Sequence, residues 1–221
     1  MSTYSQSLNN ESRLTKLITP QRAALAGILA PILWTLLLAF LDIVQYPFLR
    51  SIGADPLTTS PASENGAGPY GLLYSASDFI FGVLVIVWAL GLFQTIQPSW
   101  WARLGLVCLL VFGIGWIFGS ATCDCMPGQP ASLSGAIHNT ASTVFLIDTI
   151  PMTIFCGLAF RQDPRWRSYA WYAIATGVLA LPLFLLASSL PVVFSWFYIW
   201  LLLIPFGFIE VLALHLRELA P

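Results

Sequence analysis

Apolar residues run almost without interruption along this chain, in six stretches at residues 22–44, 70–94, 102–120, 138–160, 168–190 and 192–217. Each is about 20 residues or longer, enough for an α-helix to cross roughly 30 Å of hydrocarbon. The stretches are continuous rather than alternating, which predicts helices and not the roughly ten-residue strands of a membrane barrel. The expected fold is therefore all-α: a polytopic membrane protein built as a six-transmembrane-helix bundle. A polar tail at residues 1–21 precedes a transmembrane domain at 22–217, and 218–221 form a C-terminal tail. The tail lacks a cleavage-type segment, so the first apolar run is read as an uncleaved anchor. The last two runs are divided only by an expected turn around Pro191.

Composition narrows the function classes. The 221 residues are 57% hydrophobic and only 9% charged, with a net charge of -1 and a mean hydropathy of +0.80. An ordinary soluble domain carries about 25% charged residues. Without a basic cluster, nucleic acid is excluded as a partner. No phosphate-binding loop or internal repeat is present, which argues against an energy-driven pump. Membrane lipid and small amphiphiles remain as partners, and oligomeric state stays open.

The cations orient the bundle. Arg13, Lys16, Arg22, Arg103, Arg161, Arg165, Arg167 and Arg217 fall at one set of span ends, and of the 9 Lys and Arg only Arg50 falls at the other. By the positive-inside rule both termini are expected in the cytoplasm and the protein in a prokaryotic cell membrane. Trp100, Trp101, Trp166 and Trp171 are expected as interface anchors, and the loops at 45–69 and 121–137 as extracytoplasmic.

Ionisable residues inside spans are costly and direct attention to function. Asp78, Asp148 and Glu210 are such residues, and Asp42 lies nearer an interface. Each carboxyl also has a plain reading as a protonated donor between helices. His138, Ser142, Phe145, Thr149, Met152 and Cys156 share a helix face, with Asp148 about 80° from His138. Gly71, Ser75, Asp78, Gly82 and Ala89 share another. If those faces meet, Asp78, Asp148, Ser142 and His138 surround a pocket open outward; otherwise they form polar packing seams.

The segment ATCDCMPGQPASLSGAIHNTAS, residues 121–142, holds two cysteines around Asp124 and leads to His138. Cys123 and Cys125 read first as plain loop residues, with a disulfide or a metal site as alternatives; no metal site is assigned, and the cofactor stays open. Asp124 is expected to pair with His138 or to cap the following helix, and a carboxylate with an imidazole suits acid–base work. Cys108 and Cys156 read as small core residues and His215 as an interface residue.

The elements ADPLTTSPASENGAGPYG (54–71), GPYGLLYSASDFIFG (68–82) and SLSGAIHNTAS (132–142) resemble the six-span prokaryotic family called domain of unknown function 998. Asp55, Pro56, Glu64, Gly68, Pro69, Tyr70, Asp124, His138, Asn139 and Ser142 occupy family-like positions. Ser134 stands where many relatives have a first histidine, and cysteines flank Asp124 where relatives have other residues. The resemblance implies six helices and an outer polar cluster of Glu64, Asp124 and His138, but no established activity.

Three functions follow from these readings. The first is a lipid- or amphiphile-binding protein in which His138, Asp124, Glu64 and Asn139 engage a head group, with Asp78, Ser142 and Asp148 deeper. The second is an intramembrane hydrolase or transferase acting on lipid or isoprenoid, with His138, Asp124 and Asp148 as catalytic groups. The third is a structural or partner-binding protein whose polar residues set helix register.

Overall fold

The computed structural model describes residues 18–55, 61–126, 128–189 and 194–220, which are helical or connecting, with no strand among them. The helices are α1 (Pro20–Val44), α2 (Tyr46–Ser51), α3 (Gly71–Thr95), α4 (Trp100–Gly119), α5 (Leu133–Phe160), α6 (Ala170–Ser189) and α7 (Phe194–Leu219), with 3₁₀ turns at Ala62–Ala67 and Arg167–Tyr169. Among the described residues, α1, α3, α4, α5 and the segment Arg167–Leu186 are each long and apolar enough to cross a membrane. With these, the chain is a polytopic helical membrane protein; α7 adds a further helix of 26 residues. Arg13, Lys16, Pro56, the expected turn at Pro191 and Pro221 lie outside the described residues.

Hydroxyl caps set three of the helix starts. Thr19 accepts from Arg22 N at 3.3 Å ahead of Pro20, Ser99 from Ala102 N at 3.1 Å, and Ser132 from Gly135 N at 3.0 Å. Each satisfies a backbone donor that the first helical turn leaves free. The cap at Ser132 explains why α5 begins five residues before the expected 138. Ser134, Gly135 and His138 interrupt the apolar run without interrupting the helix.

Helices adjacent in sequence pack on one another, and α7 closes the ring against α1. Without a hydrophobic driving force in lipid, such a ring is held by close packing and interhelical hydrogen bonds. Its centre is aromatic. Trp34 stands edge-on to Trp116 at 5.4 Å and to Phe206 at 5.2 Å, Phe81 meets Trp116 at 4.4 Å, and Trp116 stacks on Phe145 at 4.6 Å. These rings come from α1, α3, α4, α5 and α7, so one cluster ties five helices together. Aromatic pairs of this kind are each worth about 0.5–1.5 kcal/mol beyond area burial.

The connections form two ends. At the long-loop end, Cys123 Sγ lies 3.1 Å from Ser63 O, joining the α4–α5 connection to the α2–α3 connection. At the short-loop end, Gln97 N donates to Asp163 Oδ2 at 2.9 Å and Arg165 donates to Thr95 O and, at 3.0 Å, to Asp163 Oδ2. Trp166 is fully buried there, stacked on Phe160 at 5.2 Å, and so does not act as the interface anchor expected of it. Trp100 and Trp171 are 66% and 68% exposed, as anchors are.

Candidate functional site

Three backbone carbonyls at and just beyond the C-terminus of α4 organise the polar residues at the long-loop end. His138 is buried, and its Nδ1 lies 2.6 Å from Gly119 O and 3.0 Å from Ala121 O. Both partners only accept, so Nδ1 carries the proton and donates. One turn earlier, Ser134 Oγ donates to Thr122 O at 3.0 Å. Two residues of α5 spaced by four thus satisfy carbonyls that the end of α4 leaves open. Nε2 of His138 makes no hydrogen bond within the described residues.

Asp124 performs the complementary task at the start of α5. Its Oδ2 accepts from Ser132 N at 2.7 Å and its Oδ1 from Ser132 Oγ at 2.6 Å, with Gln129 Nε2 at 3.5 Å. These hydrogen bonds, the Ser132 hydroxyl first, hold the Asp124 carboxyl below the usual carboxylate range. Gly135 makes the approach possible, since a Cβ there would lie 2.0 Å from Asp124 Oδ2. Of the two roles expected for Asp124, the structure shows the cap. No hydrogen bond joins it to His138.

Cys123 and Cys125 are joined in a disulfide. The turn through Asp124 brings their Cα atoms to 5.2 Å, inside the range a disulfide spans, which displaces the plain-loop reading. Among the described residues no group of His, Cys, Asp and Glu is arranged to hold a metal ion.

The predicted intramembrane residues separate into different seams. Asp78 is 3% exposed and its Oδ1 accepts from Trp34 Nε1 at 2.6 Å, across α1 and α3. Asp148 stands against Cys108 across α4 and α5, and its Oδ2 has no hydrogen-bond partner among the described residues. The α4 helix packs between α3 and α5, so the faces carrying Asp78 and Asp148 do not form one outward pocket. Ser142 lies near the end of α4, within 3.7 Å of where a Cβ on Gly119 would stand. Asn139 is exposed, and Glu64 is half-buried in the 3₁₀ turn Ala62–Ala67.

A polar knot not anticipated from sequence surrounds that turn. Gln45, 1% exposed, donates from Nε2 to Asn65 O at 3.1 Å and to Asn65 Oδ1 at 3.0 Å, while its Oε1 accepts from Tyr70 N at 3.0 Å. Asn65 Nδ2 donates in turn to Asp42 Oδ1 at 2.7 Å. The signal was available in a polar Gln at the end of an apolar run, where a buried amide must find partners.

Over residues 25–215 the chain matches the family model described as "Protein of unknown function (DUF998)". The chain belongs to the DUF998 family. No curated protein and no solved structure matches it. In this DUF998 chain the family-like elements have direct physical readings. The Gly-Pro-Tyr-Gly turn needs glycine at 71 because a Cβ would meet Gly66 O at 2.1 Å. The His138 element ties the start of α5 to the end of α4.

Beside that junction an apolar groove of about 480 Å³ opens between α4 and α5, lined by Ile114, Phe118, Ala136, Ile137, Thr140 and Val144 among others. Ala136 follows Gly135, against which the Asp124 carboxylate rests. The groove and the Asp124–Ser132 cluster thus lie at the same end of α5, within its first turns.

Proposed function

We propose that this DUF998 protein binds a membrane lipid or small amphiphile, with its apolar chain in the α4–α5 groove and its head group at the long-loop end. The observation that carries the reading is the groove of about 480 Å³ opening beside the Asp124–Ser132 cap. The acidic groups at this end, Asp42, Asp55, Glu64 and Asp124, face one cation, Arg50, which is paired with Asp55 at 3.1 Å. That balance favours an amine-bearing head group over an anionic one. Asn139 and Thr140 supply exposed polar groups on the turns that line the groove, and His138 Nε2 is a further acceptor nearby. The positive-inside pattern supports an extracytoplasmic position for this end in a prokaryotic cell membrane. A disulfide in its loop fits an oxidising compartment.

The test is lipid occupancy of the purified full chain by native mass spectrometry. Thr140→Trp fills the groove from an exposed position, and occupancy is expected to fall at least 5-fold with unchanged thermal stability. Asp124→Asn is expected to lower retention of phosphatidylethanolamine relative to phosphatidylglycerol. Unchanged occupancy in a folded Thr140→Trp variant refutes the groove assignment.

A further inference from the structure

A second groove, of about 420 Å³, lies between α1 and α7, on the opposite side of the ring from the α4–α5 groove. Its wall includes Pro31, Ile32, Leu203, Phe206 and two polar side chains, Thr35 and Glu210. Thr35 stands nine residues before the end of α1 and Glu210 nine before the end of α7. At 1.5 Å per residue each lies about 14 Å from the nearer helix end, deep in the hydrocarbon. Among the described residues Glu210 joins no ion pair, and its buried Oε2 has no hydrogen-bond partner.

That position is unusual for a carboxyl. Ionisable groups within spans normally face the bundle interior or pair with one another, because hydrocarbon solvates no charge. Asp78 follows the rule by taking the Trp34 indole N–H, and Asp148 by facing Cys108 of the neighbouring α4. Glu210 instead lines a groove open to lipid. Phospholipid head groups stay at the interface and do not reach this depth. A partner for Glu210 must be soluble in hydrocarbon, hence uncharged, and must carry an oxygen able to hydrogen-bond.

We propose that the α1–α7 groove is a binding site for a neutral lipophile that carries a carbonyl or hydroxyl oxygen on an apolar chain, the chemistry of quinones and long-chain alcohols. The Glu210 carboxyl and the Thr35 hydroxyl hydrogen-bond the ligand oxygen, and the apolar walls hold the chain. This site is independent of the long-loop-end reading: it uses other helices, another depth and an uncharged ligand.

Carbodiimide labelling tests it on the full chain, with one copy per lipid nanodisc. The O–H of a carboxylic acid adds across a C=N bond of dicyclohexylcarbodiimide; the acyl group then migrates to nitrogen, giving a stable adduct that retains every atom of both reactants. Peptide mapping is expected to find the adduct at Glu210 and, at that peptide, none in E210Q. Decylubiquinone and 1-decanol, at equal mole fraction in the lipid, are each expected to slow labelling at least 5-fold, and n-decane less than 2-fold. T35V should at least halve the protection. Protection by only one of the two oxygen-bearing probes supports the site and selects between carbonyl and hydroxyl ligands. The proposal is overturned if Glu210 is not labelled, if n-decane protects as well as 1-decanol, or if neither oxygen-bearing probe protects. Protection that arises without added probe when two copies share a disc would make a second copy the occupant, which also overturns it. Labelling and protection of the native sequence decide these points even if E210Q fails to fold.

Discussion

Replacing Asp78 by asparagine keeps an oxygen acceptor 2.6 Å from Trp34 Nε1, whereas alanine removes the acceptor together with the rest of the carboxyl group. Interhelical hydrogen bonds in membrane proteins average about 0.6 kcal/mol and reach about 1.7 kcal/mol. This one is short and joins residues only 3% and 4% exposed, so it belongs near the upper end. Alanine also leaves the indole N–H without a partner, which costs a further 1–3 kcal/mol or about 2 kcal/mol centrally. The expected destabilisation is thus about 3 kcal/mol for Asp78→Ala and under about 1 kcal/mol for Asp78→Asn. Trp34→Phe disturbs the contacts with Trp116 and Phe206 as well, and a double-mutant cycle with Asp78→Ala removes that common cost. Because the unpartnered N–H is absent from the Trp34→Phe background, its cost belongs to the pair, and the cycle should return a coupling of about 2–3 kcal/mol. Reversible unfolding in mixed detergent micelles measures all four variants. If asparagine is as damaging as alanine, or the coupling is below about 0.3 kcal/mol, the carboxyl is not a register pin between α1 and α3. Full stability with lost lipid occupancy would instead make Asp78 a binding group.

Gly82→Ala places a Cβ 2.5 Å from Gly113 O, a backbone atom that cannot rotate away, so α3 and α4 must separate. A cost of about 2–3 kcal/mol is expected in the same unfolding assay; a change under about 0.5 kcal/mol would show that the crossing is looser than drawn. At the short-loop end burial raises the Asp163 pKa, but hydrogen bonds from the Arg165 side chain and backbone and from Gln97 outweigh it and hold the carboxyl below its ordinary value. A depressed folded-state value gives stability that is present above the unfolded carboxyl range, near pH 4, and lost as pH falls through the folded value. Asp163→Asn should therefore cost about 2 kcal/mol at pH 7 and leave a shallower acid limb in thermal melts between about pH 5 and 2; parallel acid limbs would refute the assignment.

Much of the fold was legible because hydrocarbon imposes so few solutions. The expected spans at 70–94 and 168–190 agree with Gly71–Thr95 and Ala170–Ser189 to within two residues, and the short helix Tyr46–Ser51 was missed because its six residues carry no period. The buried faces of α3 and α5 were also readable, since Asp78, Gly82 and Ala89, and His138, Phe145, Thr149, Met152 and Cys156, are all buried. Their meeting was not readable. Periodicity says which side of a helix is buried and nothing about which neighbour covers it, so Asp78 found Trp34 and Asp148 found Cys108. Trp34 itself held a clue, because an indole N–H at that depth needs an acceptor. Asp163 was overlooked because a carboxylate in a short polar connection looks like any solvated turn residue; its burial depends on three segments meeting there.

The aromatic centre fixes how concentration must be reckoned for this protein. Trp34, Phe81, Trp116, Phe145 and Phe206 fill the middle of the ring, while the grooves lie on its lipid-facing sides. A molecule that occupies a groove exchanges sideways with the bilayer rather than with water at either surface. Its occupancy then follows its mole fraction among the surrounding lipids, and a dissociation constant expressed per litre of buffer would change with every change in the amount of membrane.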